Sequence, residues 1–247
     1  MADPVAEVID LSKRFETVEV LRGVSFALLR GETLVVMGGS GSGKTVLLRH
    51  VAGLTKPDSG QVRVFGRNIE RLSEEGLLPL RRRMGYVFQG AALFDSLSVY
   101  ENVAYPLHEH TDLPEAEIRA RVIRFLSLVG LGAEVLEQLP SELSGGMRKR
   151  VGIARALAVE PEILLFDEPT AGLDPTNSKL VAELIAQLHT GVCDTAIVVT
   201  HDLELARTVA DRVAILIDGR FAALGPRANV LETKDPAVQA FLAGEAR

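Results

Sequence analysis

Five stretches of this chain combine residue types that could act on a phosphorylated ligand. The first is Gly38-Gly39-Ser40-Gly41-Ser42-Gly43-Lys44-Thr45, which fits the pattern G-x-x-x-x-G-K-[ST]. Its glycines let the backbone curl so that successive N–H groups point inward at phosphate oxygens. A helix opening directly after it adds partial positive charge and Lys44 adds a full one, while Thr45 places a hydroxyl where Mg2+ would sit. A flexible Gly/Ser loop with an incidental lysine is the alternative, and the spacing argues against it. Asp167-Glu168 is a pair of adjacent carboxylates. Asp167 suits water-mediated contact with Mg2+, and Glu168 suits polarising an attacking water; standing alone, the pair would be a strand-to-turn transition. Gln89 could reach a metal or that water, or be a polar loop residue. Ser144, Gly145 and Gly146 can cap a helix and admit an anion, or simply begin one. His201 could touch a terminal phosphate, although a lone histidine is more often structural.

The elements needed to position these groups can be read from periodicity. Thr33–Met37 reads as a buried strand and Val46–Val51 as the start of a helix, which gives the loop its strand–loop–helix context. Residues 5 to 36 alternate β-like runs with turns and predict an antiparallel sheet beside that strand. Phe15, in a polar stretch before the loop, could stack on a base or anchor a small core. Gln61–Phe65 and Met84–Phe88 read as further strands, the second ending at Gln89, and Arg81-Arg82-Arg83 as a solvated basic face. Residues 98 to 157 turn helical, with Ile118, Val122, Phe125, Leu126 and Val129 on one face. Ile163–Phe166 is wholly apolar, as a strand buried on both faces should be, and it delivers Asp167-Glu168 to its carboxyl end, where open α/β sheets bind ligands. Ala171–Pro175 is a tight turn containing Asp174, and residues 178 to 188 form an amphipathic helix. Thr195–Thr200 is another buried strand, ending at His201. Ala214–Ile217 and Arg220–Leu224 flank Asp218-Gly219 as a hairpin, and the tail from Pro226 holds a helix around Val238, Phe241 and Leu242.

The bulk properties narrow the setting. The 247 residues are 47% hydrophobic and 24% charged, which suits a globular chain with a sizeable core. A formal net charge of −6 with no basic segment argues against a nucleic-acid partner. No apolar run approaches the roughly 18 residues of a membrane span, and Met1–Glu7 has no leader character. The single cysteine, Cys193, excludes an intrachain disulfide and reads as a small buried residue in a reducing cytoplasm.

Taken in order, the loop at 38–45, Gln89, Leu143-Ser144-Gly145-Gly146, Asp167-Glu168, Leu173-Asp174 and His201 closely resemble the nucleotide-binding subunit of ABC transporters. The likeness runs from about Val5 to Leu224. It implies an α/β fold: a P-loop NTPase (ABC ATPase) core, an antiparallel β-subdomain and an inserted α-helical subdomain. As a single domain over 1–247 it would divide into 5–90 with 158–224, helical residues 91–157, and a tail at 225–247. The resemblance implies ATP and Mg2+ as ligands, with contacts from Gly38 to Val46. Phe15 would stack on adenine, Thr45, Gln89 and Asp167 serve the metal, Glu168 act as the catalytic carboxylate and His201 sense the γ-phosphate. Asp174 would be a further nucleotide contact, and Ser144, Gly145 and Gly146 would complete the site of a second copy, so a homodimer is implied.

One departure from the family pattern is Met147, where the signature usually has glutamine. Leu143–Arg150 and Phe88–Val103 look like the subgroup that energises Mla/Mce-type phospholipid transporters. That likeness implies an integral-membrane permease, a substrate-binding Mce-type protein, a small accessory cytoplasmic subunit, and a place on the cytoplasmic face of the inner membrane. Rival readings are a subunit of another ABC transporter, a non-transport ABC ATPase acting on DNA or ribosomes, and a phosphate-loop kinase. The last leaves Leu143–Gly146 unexplained.

Overall fold

The computed structural model describes residues 4–244. The first residues of the N-terminus and the last of the expected tail lie outside the described residues.

The chain starts with an antiparallel hairpin, β1 (Ala6–Phe15) and β2 (Val18–Leu28), closed by Glu16 at φ 51°. Both strands run further than the sequence suggests, because their polar outer ends pair with each other, Arg14 facing Glu19. At Arg30–Glu32 the chain crosses to a second sheet. Glu32 is buried there, accepting from Leu29 N–H at 2.8 Å and from Arg212 at 2.8 Å. It begins β3 (Thr33–Met37), buried at every position, and the phosphate loop leads into α1 (Lys44–Val51). β4 (Ser59–Val64) and β5 (Arg67–Asn68) return to the first sheet, whose order is β2-β1-β4-β5.

α2 (Glu74–Arg81), capped by Ser73, is absent from the sequence reading; its proline and glycine obscure the helical period. It precedes β6 (Met84–Val87). The basic run beside it is not a solvated face. Arg83 lies 3.6 Å over the Phe65 ring and pairs with Glu162 at 2.5 Å, and Arg81 donates to the Gly53 carbonyl at 2.7 Å. Only Arg82 is left exposed.

The helical portion consists of α3 (Val99–His110), α4 (Glu115–Leu128) and α5 (Gly145–Leu157). Ser98 and Glu101 form a reciprocal capping box on α3, so its start is satisfied locally. The buried Asn102 amide ties down the turn before it, bonding Phe94 N–H and O and the Leu97 and Ser98 carbonyls. Then follow β7 (Ile163–Asp167), α6 (Pro175–Gly191), β8 (Ala196–Thr200) and α7 (Leu203–Val209), the last also absent from the sequence reading. β9 (Arg212–Ile217), β10 (Arg220–Pro226), α8 (Arg227–Leu231) and α9 (Pro236–Leu242) end the chain.

The second sheet has the order β10-β9-β3-β8-β7-β6, parallel except for β10. Side chains alternate between two separate cores. Val35, Leu164, Phe166, Val198 and Ile215 face the helical layer, while Leu34, Val36, Leu165, Ile197 and Leu216 face the first sheet and α1. Apolar burial on both faces holds these strands, at roughly 1.5–3 kcal/mol for each large side chain. It fixes the carboxyl ends of β3, β7 and β8 side by side. Cys193 is buried, as expected, and burial pushes its thiol pKa up.

Candidate active site

The phosphate loop is shaped by contacts that exclude larger side chains. A Cβ at Gly38 would meet the Leu216 carbonyl and Ser42 Oγ, each at 2.5 Å, and Gly43 caps α1 at φ 103°. Lys44 is buried, and its ammonium donates to the Gly38 carbonyl at 2.8 Å and the Gly39 carbonyl at 2.9 Å. Ser42 Oγ is buried with no hydrogen-bond partner among the described residues. An orphaned hydroxyl inside a glycine-lined loop fits a phosphate oxygen as its missing partner.

Asp167 and Glu168 stand where β7 ends. Asp167 accepts from Thr45 Oγ1 at 2.7 Å and from the Tyr86 hydroxyl at 3.2 Å. Burial, and then the neighbouring Asp167 charge, push the Tyr86 pKa well up, so this hydroxyl stays a donor. A hydroxyl beside a carboxylate is the oxygen donor set that Mg2+ takes when phosphates and waters complete its shell. Among the described residues no group of three or more His, Cys, Asp or Glu could hold a metal by itself. The protein groups at hand therefore fit a metal that arrives with a phosphorylated ligand.

Glu168 is a non-glycine residue at φ 47°, a conformation that costs energy and points its carboxylate back over the loop. Its backbone is held by the Glu168 N–H bond to the Val199 carbonyl at 2.9 Å. The carboxylate lies 3.3 Å from Lys44 Nζ and 2.9 Å from His201 Nδ1. His201 is mostly exposed, so its ring marks the open side of the site. Lys149 of α5 is also buried, and its ammonium donates to the Glu168 carbonyl at 3.3 Å and to the Gln89 carbonyl. Burial lowers the Lys149 pKa, opposed by Glu168 and Asp167. Two buried ammoniums thus stand among two buried carboxylates, Lys44 and Lys149 with Asp167 and Glu168.

The other residues singled out from the sequence lie further off or are used differently. The Gln89 side chain is exposed and makes no hydrogen bond among the described residues; its carbonyl is what the structure engages. Ser144 Oγ accepts from Met147 N–H at 3.3 Å and so caps α5, as its type suggests. Neither it nor Gly145 or Gly146 hydrogen-bonds to the loop among the described residues. Gly146 is not simply open to an anion: a Cβ there would meet Asn177 Oδ1 at 2.5 Å, so a larger residue would displace the Asn177 side chain of α6. Asp174 is the N-cap of α6, accepting from Thr176 and Asn177 N–H at 3.0 and 3.1 Å and from the Asn177 amide at 2.5 Å. Val46 continues α1 and is half-buried. Phe15 sits at the hairpin tip, 45% exposed, with Lys13 Nζ 5.4 Å from its ring centroid. At that exposure the ring is not a core anchor. A cavity of about 260 Å³ runs along Gly39–Ser42, and Val20, Gly219 and Phe241 of the tail line its other walls. Sequence reasoning missed Tyr86, Lys149 and the place of Phe241. Tyr86 lies three residues before Gln89 on a strand ending at the site, which was the available signal.

The family model described as ABC transporter matches residues 21–171. The chain belongs to the ABC transporter family, and its α/β fold, with antiparallel and helical subdomains, is that of the family's ATPase. It is 40% identical over 238 residues to a Mycobacterium bovis protein named "Probable ribonucleotide transport ATP-binding protein mkl", covering 96% of this chain and 66% of that one. It is 41% identical over 243 residues to the methionine import ATP-binding protein MetN of Mesorhizobium japonicum, covering 98% of this chain and 66% of that protein. The chain thus spans just under two thirds of the length of these curated relatives. A solved dimeric structure of the ATP-binding cassette MJ0796, in a post-hydrolysis state with ADP and Pi, superposes with a TM-score of 0.83. That match has 32% identity and covers 90% of this chain and 98% of that one.

Proposed function

We propose that this chain binds and hydrolyses ATP as the motor subunit of a membrane transporter, with Glu168 as catalytic carboxylate. The observation that carries this reading is the Lys44–Glu168–His201 constellation beside the 2.7 Å Thr45–Asp167 contact, assembled at the ends of three parallel strands. The loop amides, Ser42 and Lys44 bind the phosphates. The cluster's charges already balance, so a triphosphate needs added cation, and Thr45 and Asp167, with Gln89 swung inward, would hold Mg2+. Bound Mg2+ supplies charge neutralisation at the phosphates. Glu168 orients and deprotonates water, and His201 stands at the open rim to sense the terminal phosphate. Positioning and electrostatics supply most of the catalysis in phosphoryl transfer, so removing one such group has a large effect.

Ser144–Gly146 make no hydrogen bond to their own loop among the described residues, which supports a head-to-tail homodimer in which each copy completes the other's site. The solved MJ0796 cassette is dimeric, which supports pairing of two copies. Among the described residues no helix is long and apolar enough to cross a membrane. In this reading a separate permease carries the substrate, with this subunit on the cytoplasmic face of the inner membrane. We assign the cargo to the phospholipids of Mla/Mce-type systems on the resemblance of Leu143–Arg150 and Phe88–Val103, with an Mce-type binding protein and an accessory subunit as further partners. Methionine import is the second reading, favoured by the MetN relative.

The test is E168Q. It is expected to keep ATP affinity within about threefold, cut turnover by about 100-fold or more, and trap an ATP-dependent dimer on a sizing column. Turnover within threefold of wild type removes Glu168 from its role. Purifying the native complex and asking whether phospholipid or methionine raises its ATPase rate decides the cargo.

A further inference from the structure

α5 does more than begin with Ser144. Along one of its faces, Lys149, Gly152 and Arg155 grip the segment that follows β6. Lys149 Nζ donates to the Gln89 carbonyl; a Cβ at Gly152 would stand 3.1 Å from Ala91 Cβ; Arg155 donates to the Ala91 and Ala92 carbonyls at 2.7 and 2.8 Å. The gripped segment is strained: Ala91 and Ala92 have φ of 62° and 46°. Alanine is unfavourable in this left-handed region and persists there only where surrounding contacts enforce it. The same Lys149 ammonium donates to the carbonyl of Glu168, itself at φ 47°. One buried cation therefore joins two strained turns, one carrying Gln89 and the other Glu168.

We propose that Lys149 is a positioning residue for ATP hydrolysis, holding the Gln89 segment and the Glu168 turn in fixed relation to the helix that begins at Ser144. This deepens the proposed function and rests on it. A shift of α5, whose N-terminus faces the second copy in that reading, is passed through Lys149 to the Gln89 and Glu168 of its own site. Among the described residues Lys149 hydrogen-bonds to backbone carbonyls only and to nothing in the phosphate loop, so its loss acts more on turnover than on binding, where it removes one charge of the cluster.

The experiment uses the full chain, with K149M to remove the donor and K149Q to keep a shorter one. Expected for K149M is a kcat at least tenfold lower, with KM for ATP and fluorescent ATP-analogue affinity changed by no more than about threefold, the lost charge included; K149Q should recover part of the loss in kcat. A double-mutant cycle with Q89A supplies the readout that a scaffolding role would not move. Lys149 acts through Gln89, so the Q89A penalty should shrink at least fivefold in the K149M background. Unchanged kcat, fully multiplicative effects, or equal loss of binding and turnover in both variants overturns the proposal. So does failure of both variants to melt cooperatively, which makes the lysine a scaffold element. E168Q in the same series separates the two levels. If E168Q abolishes turnover while K149M does not, only the Lys149 role falls; if E168Q is active, the reading of the site itself falls.

Discussion

Replacing Gly146 by alanine should have opposite effects on stability depending on what stands at position 177. The new Cβ would lie 2.5 Å from Asn177 Oδ1 and 2.9 Å from its Cγ, so the Asn177 side chain must turn away. It is not free to do so, because its amide donates to the Asp174 carboxylate at 2.5 Å. That contact lies at the solvent surface, so breaking it costs only part of what a buried charge-assisted hydrogen bond would. Alanine at an early helical position regains about 0.5 kcal/mol of propensity over glycine. Displacing the tethered Asn177 side chain outweighs that gain, and Tm should fall by about 1–3 °C. In the N177A background the amide is gone, and of these three atoms only the Cβ at position 177 remains, 3.4 Å away in ordinary contact. There G146A keeps only the propensity term and should raise Tm by about 1–2 °C relative to N177A alone. Thermal melts of the four proteins followed by circular dichroism give both differences. A G146A effect of the same sign in both backgrounds refutes the packing argument, and Gly146 would then owe its place to something other than α6.

K44A should weaken binding of a fluorescent ATP analogue by about 10–100-fold, the cost of losing one charge-assisted contact, measured by anisotropy titration; affinity within threefold of wild type removes Lys44 from the phosphates. Y86F deletes a hydrogen bond to a buried carboxylate and should lower Tm by about 3 °C or more, seen by calorimetry; an unchanged Tm shows the 3.2 Å contact contributes nothing. Arg83 first, then Arg30, hold the Glu162 carboxyl down at a pKa of about 2, against an ordinary 4.5. A depressed carboxylate contributes stability above its unfolded value and loses it as pH falls. Wild type should therefore lose Tm between about pH 4.5 and 2 more steeply than E162Q, in parallel acid melts. Parallel curves would sink that assignment.

The residues that announce themselves in the sequence are those whose job is local. Gly43 caps α1, Ser144 caps α5, and Ile163–Phe166 carry no polar side chain because both faces of β7 are covered. What was not legible depends on partners distant in the chain. Arg83 reads as surface until Phe65 and Glu162 are seen against it, and Lys149 reads as one of several basic residues until α5 is laid on the Gln89 turn. Asn102 gives no sign that its amide binds four backbone groups. α2 is hidden by Gly76 and Pro79, residues that argue against a helix and are tolerated in its short, surface-facing length.

The second sheet keeps its two cores apart: no side chain on a strand belongs to both. Such a partition lets the molecule drift at two speeds. Substitutions in the helical layer can be absorbed among α3, α4 and α5 and can remodel what that layer docks against, without disturbing the packing behind the phosphate loop. The packing behind the loop can thus be kept while the helical layer varies, save where Lys149 of α5 holds the Glu168 carbonyl. A sequence read through its most chemical residues therefore speaks clearly about fuel and only faintly about freight.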